Sequence, residues 1–179
     1  MSEAWNAKTP AAQRDDALAA DAALLERIEA TGPDERAHFS MSMGPMELGF
    51  AEFVGMRLNE HAFYTWDIEV AGNPDATLPD QVAALVVDNL ELVARYTAKP
   101  TGDTNTLSVT TTSPDRSFTI DLKPDSVAFH PNSPTVGADL ELPAEAFARL
   151  VYGRLDAIHT QAGEHGTMIT TLRGIFPGP

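Results

Sequence analysis

The spacing of apolar residues changes near residue 100, from the periodicity of helices to the alternation of strands. The segments TLSVTTT, SFTIDL, SVAFH and ADLEL alternate or are rich in β-branched and aromatic residues, and turn-forming proline segments separate them. Because the connections between the first three are short, we expect them to pair antiparallel. The second part of the chain is therefore predicted to be α+β, with helices on one face of a sheet of about four strands.

The first part of the chain is predicted to be helical. Thr9 and Pro10 are typical of a helix start, and Gly32-Pro33 ends this first helix. After an extended connector, a second helix is expected from about Met46 to Ala71, closed by Gly72, and apolar on nearly all sides. Three more helices are expected at about 80–98, 144–152 and 167–176. We place the domain boundary after residue 72, giving domains 1–72 and 73–179.

The charge balance argues against two classes of partner. Lys and Arg number 12 against 26 Asp and Glu, a formal net charge of −14, which repels both a nucleic-acid backbone and an anionic membrane. The first residues do not have the pattern of a signal peptide, and no apolar stretch approaches the roughly 20 residues of a membrane span. The chain has no cysteine. We expect a cytoplasmic protein with no thiolate ligand of its own.

One run in the second helix carries chemistry, the segment RLNEHAFYTWD from Arg57 to Asp67. Residues three, four and seven apart share a face of a helix, so Glu60, Tyr64 and Asp67 line up, with Arg57 one turn before. Charged and aromatic groups grouped in this way on an apolar helix indicate a site.

The run resembles the RLNE-x-x-x-H-x-WD segment of the mycothiol-dependent maleylpyruvate isomerase family. Four more stretches resemble that family in the same order: WNAKTPAAQ, MGPMEL, LPAEAFARLVYGRLD and LRGIFPGP. The resemblance implies part of a DinB-like four-helix bundle followed by a sterol-carrier-like domain with an antiparallel sheet. Family members have two further bundle helices upstream, with the first metal-binding histidine, so the chain is expected to correspond to the second half of the bundle and the C-terminal domain.

The resemblance also implies a chemistry. In that family a divalent metal, usually zinc, is held by two histidines and a glutamate and activates the thiol of mycothiol for cis–trans isomerisation of maleylpyruvate. Glu60 matches the glutamate ligand, whereas Tyr64 stands where the family has a histidine. Arg154 is the residue expected to orient a dianionic substrate, with Arg173 as second choice.

Structural roles compete with each of these assignments. Glu60 could pair with Arg57 or bond to the Tyr64 hydroxyl, and His61 lies about 100° round the helix from Glu60, so the two do not converge on a metal. Arg154 could cap the preceding helix and pair with Asp156 instead of binding substrate. The remaining histidines of the second part lie in predicted loops or near turns and are expected to be solvated: His130, His159 and His165.

Two functions follow as hypotheses. The first is a thiol-dependent isomerase or thiol transferase of this family, whose site is completed by residues outside the chain, with zinc and mycothiol as cofactors. The second is a non-catalytic module of sterol-carrier-like fold that binds a small molecule. Because one metal ligand of three is visible, we predict no stoichiometric zinc in this chain. Because the second helix is apolar all round, we also predict a homodimer that rebuilds a four-helix bundle.

Overall fold

The computed structural model describes residues 2–44, 46–133, 137–155 and 166–178. Within these residues the chain divides into two compact units, Met1–Val54 and Gly55–Pro179, and the division falls inside a long helix. No helix among the described residues is both long enough and apolar enough to cross a membrane.

The first unit is built around one long helix and a hairpin. Its elements are α1 (Ser2–Asn6), α2 (Pro10–Ala30), α3 (Pro33–His38), β1 (Met41–Met43), β2 (Met46–Leu48) and the first turn of α4 (Phe50–Gly72). The Thr9 hydroxyl accepts a hydrogen bond from the Ala12 amide, and Pro10 occupies the first turn of α2, as predicted. The predicted extended connector, from Ala37 to Gly44, starts in the last turn of α3 and contains the extended strand β1.

The start of α4 differs from the prediction. Met46 lies in β2, where it pairs with Met43 across the hairpin, so the helix begins four residues later at Phe50. At that start the Glu52 carboxylate accepts a hydrogen bond from the Gly49 amide at 2.9 Å, which satisfies one N–H group that the helix leaves unpaired.

The second unit contains the rest of α4 and two consecutive helices, α5 (Asp80–Val87) and α6 (Leu90–Thr97). Its strands are β3 (Asn105–Thr112), β4 (Arg116–Lys123), β5 (Ser126–Pro131) and β6 (Leu140–Pro143), and its last helices are α7 (Ala144–Val151) and α8 (Gly166–Ile175). The prediction of one helix over 80–98 is wrong, because the helix breaks at Asp88-Asn89. At this break the side-chain amide of Asn89 donates to the Leu85 carbonyl at 2.9 Å. The backbone N–H of Asn89 donates to the Val86 carbonyl, three residues back, in place of the Leu85 carbonyl that a continuous α-helix would use.

The sheet has the order β5-β4-β3-β6. The predicted antiparallel pairing of β3, β4 and β5 is confirmed. The expectation of an antiparallel sheet throughout is wrong, because β6 pairs parallel to β3, with Val109 opposite Leu140. The 27 residues from 113 to 139, which include β4 and β5, connect β3 to β6 and supply the crossover that parallel neighbours need. The four-stranded sheet is therefore mixed, and the coarser prediction of an α+β unit is confirmed.

An aromatic layer fills the space between the sheet and its helices. Phe118 lies at the centre, 5.4 Å from Phe129 and 4.9 Å from Phe147 between ring centroids, and Phe129 contacts Phe176 edge to face. Phe118, Phe147 and Phe176 are almost completely buried. This packing leaves the core of the second unit occupied by its own side chains.

The segment after α8 lies directly against the turn after α7. Gly153 and Gly178 both have positive φ, 67° and 84°. A β-carbon added to Gly153 would lie 2.4 Å from the Pro177 carbonyl oxygen, and one added to Gly178 would lie 2.4 Å from the Tyr152 carbonyl oxygen. Only glycine allows the two backbones to approach this closely.

We expect Gly153→Ala and Gly178→Ala each to lower the free energy of unfolding by at least about 2 kcal/mol, because alanine is strained at positive φ and its β-carbon meets backbone. Gly174→Ala is the matched control. It lies in α8 with nothing within 4 Å of an added β-carbon, so it should stabilise the chain by about 0.5–1 kcal/mol. Urea unfolding of the three variants measures the difference. Equal stability of Gly153→Ala and Gly174→Ala would contradict this account.

Candidate functional site

One face of α4 is buried within the second unit and an adjoining face carries the charged groups of the RLNEHAFYTWD run. The buried positions are Gly55, Asn59, Ala62, Phe63 and Trp66, which recur at helical spacing. Tyr64 and Ile68 are 57% and 77% exposed. The helix is therefore covered on one side by its own chain, instead of being apolar and uncovered all round.

Glu60 is held by Arg57. The Arg57 guanidinium donates to the Glu60 carboxylate at 2.5 Å, one turn along α4, and both side chains are about one third exposed. This is one of the two structural roles that the sequence left open for Glu60. The Glu60 carboxylate therefore already has a positive partner, and a metal ion would have to compete with the Arg57 guanidinium for it.

Arg154 is held by Asp67, which the sequence analysis did not pair with it. Its Nε and Nη2 atoms both donate to the Asp67 carboxylate at 2.8 Å, and Nη1 donates to the Tyr152 carbonyl at 3.1 Å. The guanidinium also lies 5.3 Å from the centre of the Phe63 ring. The hydrogen bonds that the guanidinium donates to the Asp67 carboxylate are the main reason that the pKa of Arg154 is raised. The alternative partner, Asp156, lies outside the described residues.

A buried polar pair lies next to these charges. The Tyr152 ring stacks on Phe63 with centroids 4.0 Å apart, and burial raises the pKa of its hydroxyl, an effect that the neighbouring Asn59 side chain partly opposes. Asn59 is 1% exposed, and its amide nitrogen donates to the Asn89 carbonyl at 3.3 Å. Its Oδ1 atom accepts no hydrogen bond from any described residue. A buried acceptor without a donor is costly, so Asn59 marks a position where packing and polarity conflict.

Gly55 explains why this part of α4 can approach the break between α5 and α6. A β-carbon at Gly55 would lie 2.7 Å from the Asn89 side-chain oxygen. The absence of a side chain at Gly55 brings the helix within hydrogen-bonding distance of Asn89, and Asn59 uses that proximity one turn later. Sequence reasoning missed Asn59 and Tyr152, because their roles depend on contacts between segments far apart in the chain.

The other predicted site residues are not brought together. Among the described residues, no group of three or more His, Cys, Asp or Glu side chains could hold a metal ion. Arg173 donates to the Leu155 carbonyl at 2.6 Å. His130 lies near the end of strand β5, beside the turn that follows it, with its side chain 51% exposed and its Nε2 atom 3.2 Å from Asp121. His159 and His165 lie outside the described residues.

A small groove runs beside the charged face of α4. Its floor is apolar and is formed by Leu58, Ala62, Trp66, Leu78, Pro79 and Val82. His61, Thr65 and Glu69 follow one another at intervals of four residues along its edge. The groove encloses about 200 Å³. Trp66 is fixed in it, because its indole N–H donates to the Ala76 carbonyl at 2.8 Å.

We expect Asp67 and Arg154 to be energetically coupled. A double-mutant cycle with Asp67→Asn and Arg154→Met should give a coupling free energy of about 1 kcal/mol, because the pair is bidentate but partly exposed. Glu91 and Arg95, one turn apart on α6 with side chains 46% and 58% exposed, are the control pair. Their coupling should be only about 0.3–0.5 kcal/mol. No coupling between Asp67 and Arg154 would show that the contact does not stabilise the fold.

Comparisons with known proteins add no assignment to this geometry. The chain matches no protein-family model, no curated protein sequence and no solved structure.

Proposed function

We propose that this chain is a non-catalytic small-molecule-binding protein related to the mycothiol-dependent maleylpyruvate isomerase family. One observation supports this above all: the charged groups of the α4 run pair within the protein, Arg57 with Glu60 and Asp67 with Arg154. Groups that would hold a metal and a dianionic substrate in that family instead neutralise one another. Within the second unit, Asp67 of the run joins α4 to the turn after α7.

The residue at the histidine position supports the same proposal. Tyr64 is 57% exposed, and a neutral phenol is a poor replacement for an imidazole as a zinc ligand. A catalytic zinc site normally has three protein ligands, and Glu60 alone is one. The role of Arg154 as a substrate clamp stays a prediction. Its partner Asp67 cancels the charge that would attract a dianion.

The groove beside α4 is where the proposal places the ligand. A sterol-carrier-like module would bind an apolar ligand in its core, but the aromatic layer between sheet and helices occupies that space. The groove has an apolar floor and polar groups along one edge, which is the usual composition of a small-molecule site. Its volume of about 200 Å³ is below the roughly 300–1,000 Å³ of drug-sized sites, so the ligand is a small apolar molecule with one hydrogen-bonding group.

The expectation that the chain binds no stoichiometric zinc can be tested directly. Purified protein should contain no stoichiometric zinc after dialysis, and Tyr64→His should give at most weak binding, because two ligands are still too few. Elemental analysis and isothermal titration with zinc measure both. Close to one zinc per chain, or isomerisation of maleylpyruvate by the wild type at ordinary enzyme rates with mycothiol, would overturn the proposal in favour of a family enzyme.

The binding half can be tested with cyclohexanol, a six-carbon ring with one hydroxyl, followed by the indole N–H signals in ¹H–¹⁵N NMR spectra. The chain has two tryptophans, and only Trp66 lines the groove, so Trp5 is an internal control. We expect a saturable shift of the Trp66 signal and none of the Trp5 signal.

Two variants on α4 locate the site. Thr65→Phe would place a ring at the edge of the groove and should abolish the shift, whereas Ile68→Phe, at a position 77% exposed, should leave it unchanged. A shift that does not saturate, or one that survives Thr65→Phe, would contradict binding in this groove.

A further inference from the structure

Helix α2 has an apolar stripe that no described residue of its own unit covers. None of the 21 residues of α2 is buried. Leu18 and Leu25 are 63% and 60% exposed, and the alanines beside them, Ala11 and Ala22, are also exposed. At 3.6 residues per turn these four side chains lie within about 60° of one another. We call Ala11, Leu18, Ala22 and Leu25 the leucine stripe.

The leucine stripe is distinct from the face that α2 turns to its own unit. Leu24 and Ile28 are half-buried, and they line a groove of about 460 Å³ with Phe39, Phe50 and Phe53. They lie about 80–120° round the helix from Leu18. A helix of about 31 Å whose interior face is only half-buried depends on further packing for its stability, since most helical stability in proteins comes from tertiary contacts.

The sequence of the stripe is complementary to itself when two copies run antiparallel. In a pairing centred between Asp21 and Ala22, Leu18 lies opposite Leu25 of the second copy, and Arg14 lies opposite its Glu29. The two-fold symmetry creates each contact twice. Glu29 lies about 10° and Arg14 about 50° from the centre of the stripe, so the long Arg14 side chain can reach across the helix pair. Among the residues that the structure describes, Arg14 pairs with its exposed neighbour Asp15, at 2.7 Å.

We propose that the leucine stripe of α2 is a self-association surface, and that two copies of the chain pair through it as antiparallel helices. Leucine contacts form its centre, and Arg14–Glu29 pairs lie towards its two ends. The proposal is independent of the small-molecule function. It also gives the predicted homodimer a different interface, because α4 packs on its own second unit.

The charges on the side of the leucine stripe away from Arg14 determine how the strength of the dimer depends on salt. Asp15 and Glu26 lie on this side, and the antiparallel pairing brings Asp15 of one copy near Glu26 of the other. Together with the net charge of −14 on each chain, this repulsion opposes association at low ionic strength. We expect the dimer to strengthen when sodium chloride rises from about 20 mM to about 0.5 M, because screening weakens repulsion between exposed charges.

Sedimentation velocity over a range of micromolar concentrations tests the association. The wild type should sediment as a dimer, and Leu18→Gln and Leu25→Gln should weaken the dimer at least about tenfold without adding charge. Ile68→Gln, which changes an exposed isoleucine on α4, should not. A monomeric wild type at every concentration and salt, or equal effects of Leu18→Gln and Ile68→Gln, would overturn the proposal.

Charge reversal tests the register. Arg14→Glu alone should weaken the dimer about fivefold or more, and Arg14→Glu with Glu29→Arg should restore it, because the double variant keeps the net charge and exchanges the two signs. Circular dichroism of each variant checks that α2 is still helical. A double variant as weak as Arg14→Glu would show that these residues do not face each other.

Cysteine cross-linking tests the direction of the helices, and the lack of native cysteine makes the result unambiguous. Ala22 lies next to the two-fold axis of the antiparallel pair, whereas Ala11 lies about 16 Å from the axis along the helix. Under mild oxidation Ala22→Cys should form a disulfide dimer and Ala11→Cys should not. Cross-linking of both positions would indicate a parallel pair and would overturn the antiparallel arrangement.

Discussion

The stack of Phe63 on Tyr152, closed by the Asp67–Arg154 ion pair, is the interaction on which the arrangement of the second unit depends. The two rings are 4.0 Å apart, and the Arg154 guanidinium lies within 6 Å of both while it binds Asp67. Through these contacts α4 is joined to the end of α7. Tyr152 is also the residue whose carbonyl touches Gly178, so the same turn holds the segment after α8.

Local signals in the sequence were enough to locate most elements of the fold. Alternation of apolar residues marks β3, β4 and β5, and their short turns dictate antiparallel neighbours. The direction of β6 relative to β3 depends on the whole stretch of chain between the two strands, and no local pattern in the sequence specifies it. The break at Asn89 was missed because valine and leucine continue the helical pattern across it. The start of α4 was missed because Met46 is apolar and suits either a strand or a helix.

The candidate site could also be predicted only as far as local signals in the sequence specify it. Residues on one helix have a fixed geometry, so the grouping of Arg57, Glu60, Tyr64 and Asp67 could be predicted from spacing. The partner of Asp67 lies 87 residues away, and no periodicity specifies it. Arg154 was identified by resemblance, yet its partner was not. Asn59 gave no signal, because a polar residue at a buried helical position cannot be distinguished by sequence from one that faces solvent.

The mixed sheet has a consequence for the order in which the second unit folds. Strands β3, β4 and β5 pair between sequence neighbours, so the entropy lost in closing their loops is small and the three can pair early. Strand β6 must return about 30 residues along the chain to reach β3, and it leads directly into α7. Its pairing therefore belongs to a later step, in which the meander acquires its fourth strand and the helix that carries Phe147 into the aromatic layer. Until that step, the β3 edge that later accepts β6 is open to non-native pairing, so aggregation during refolding should depend on how quickly β6 arrives.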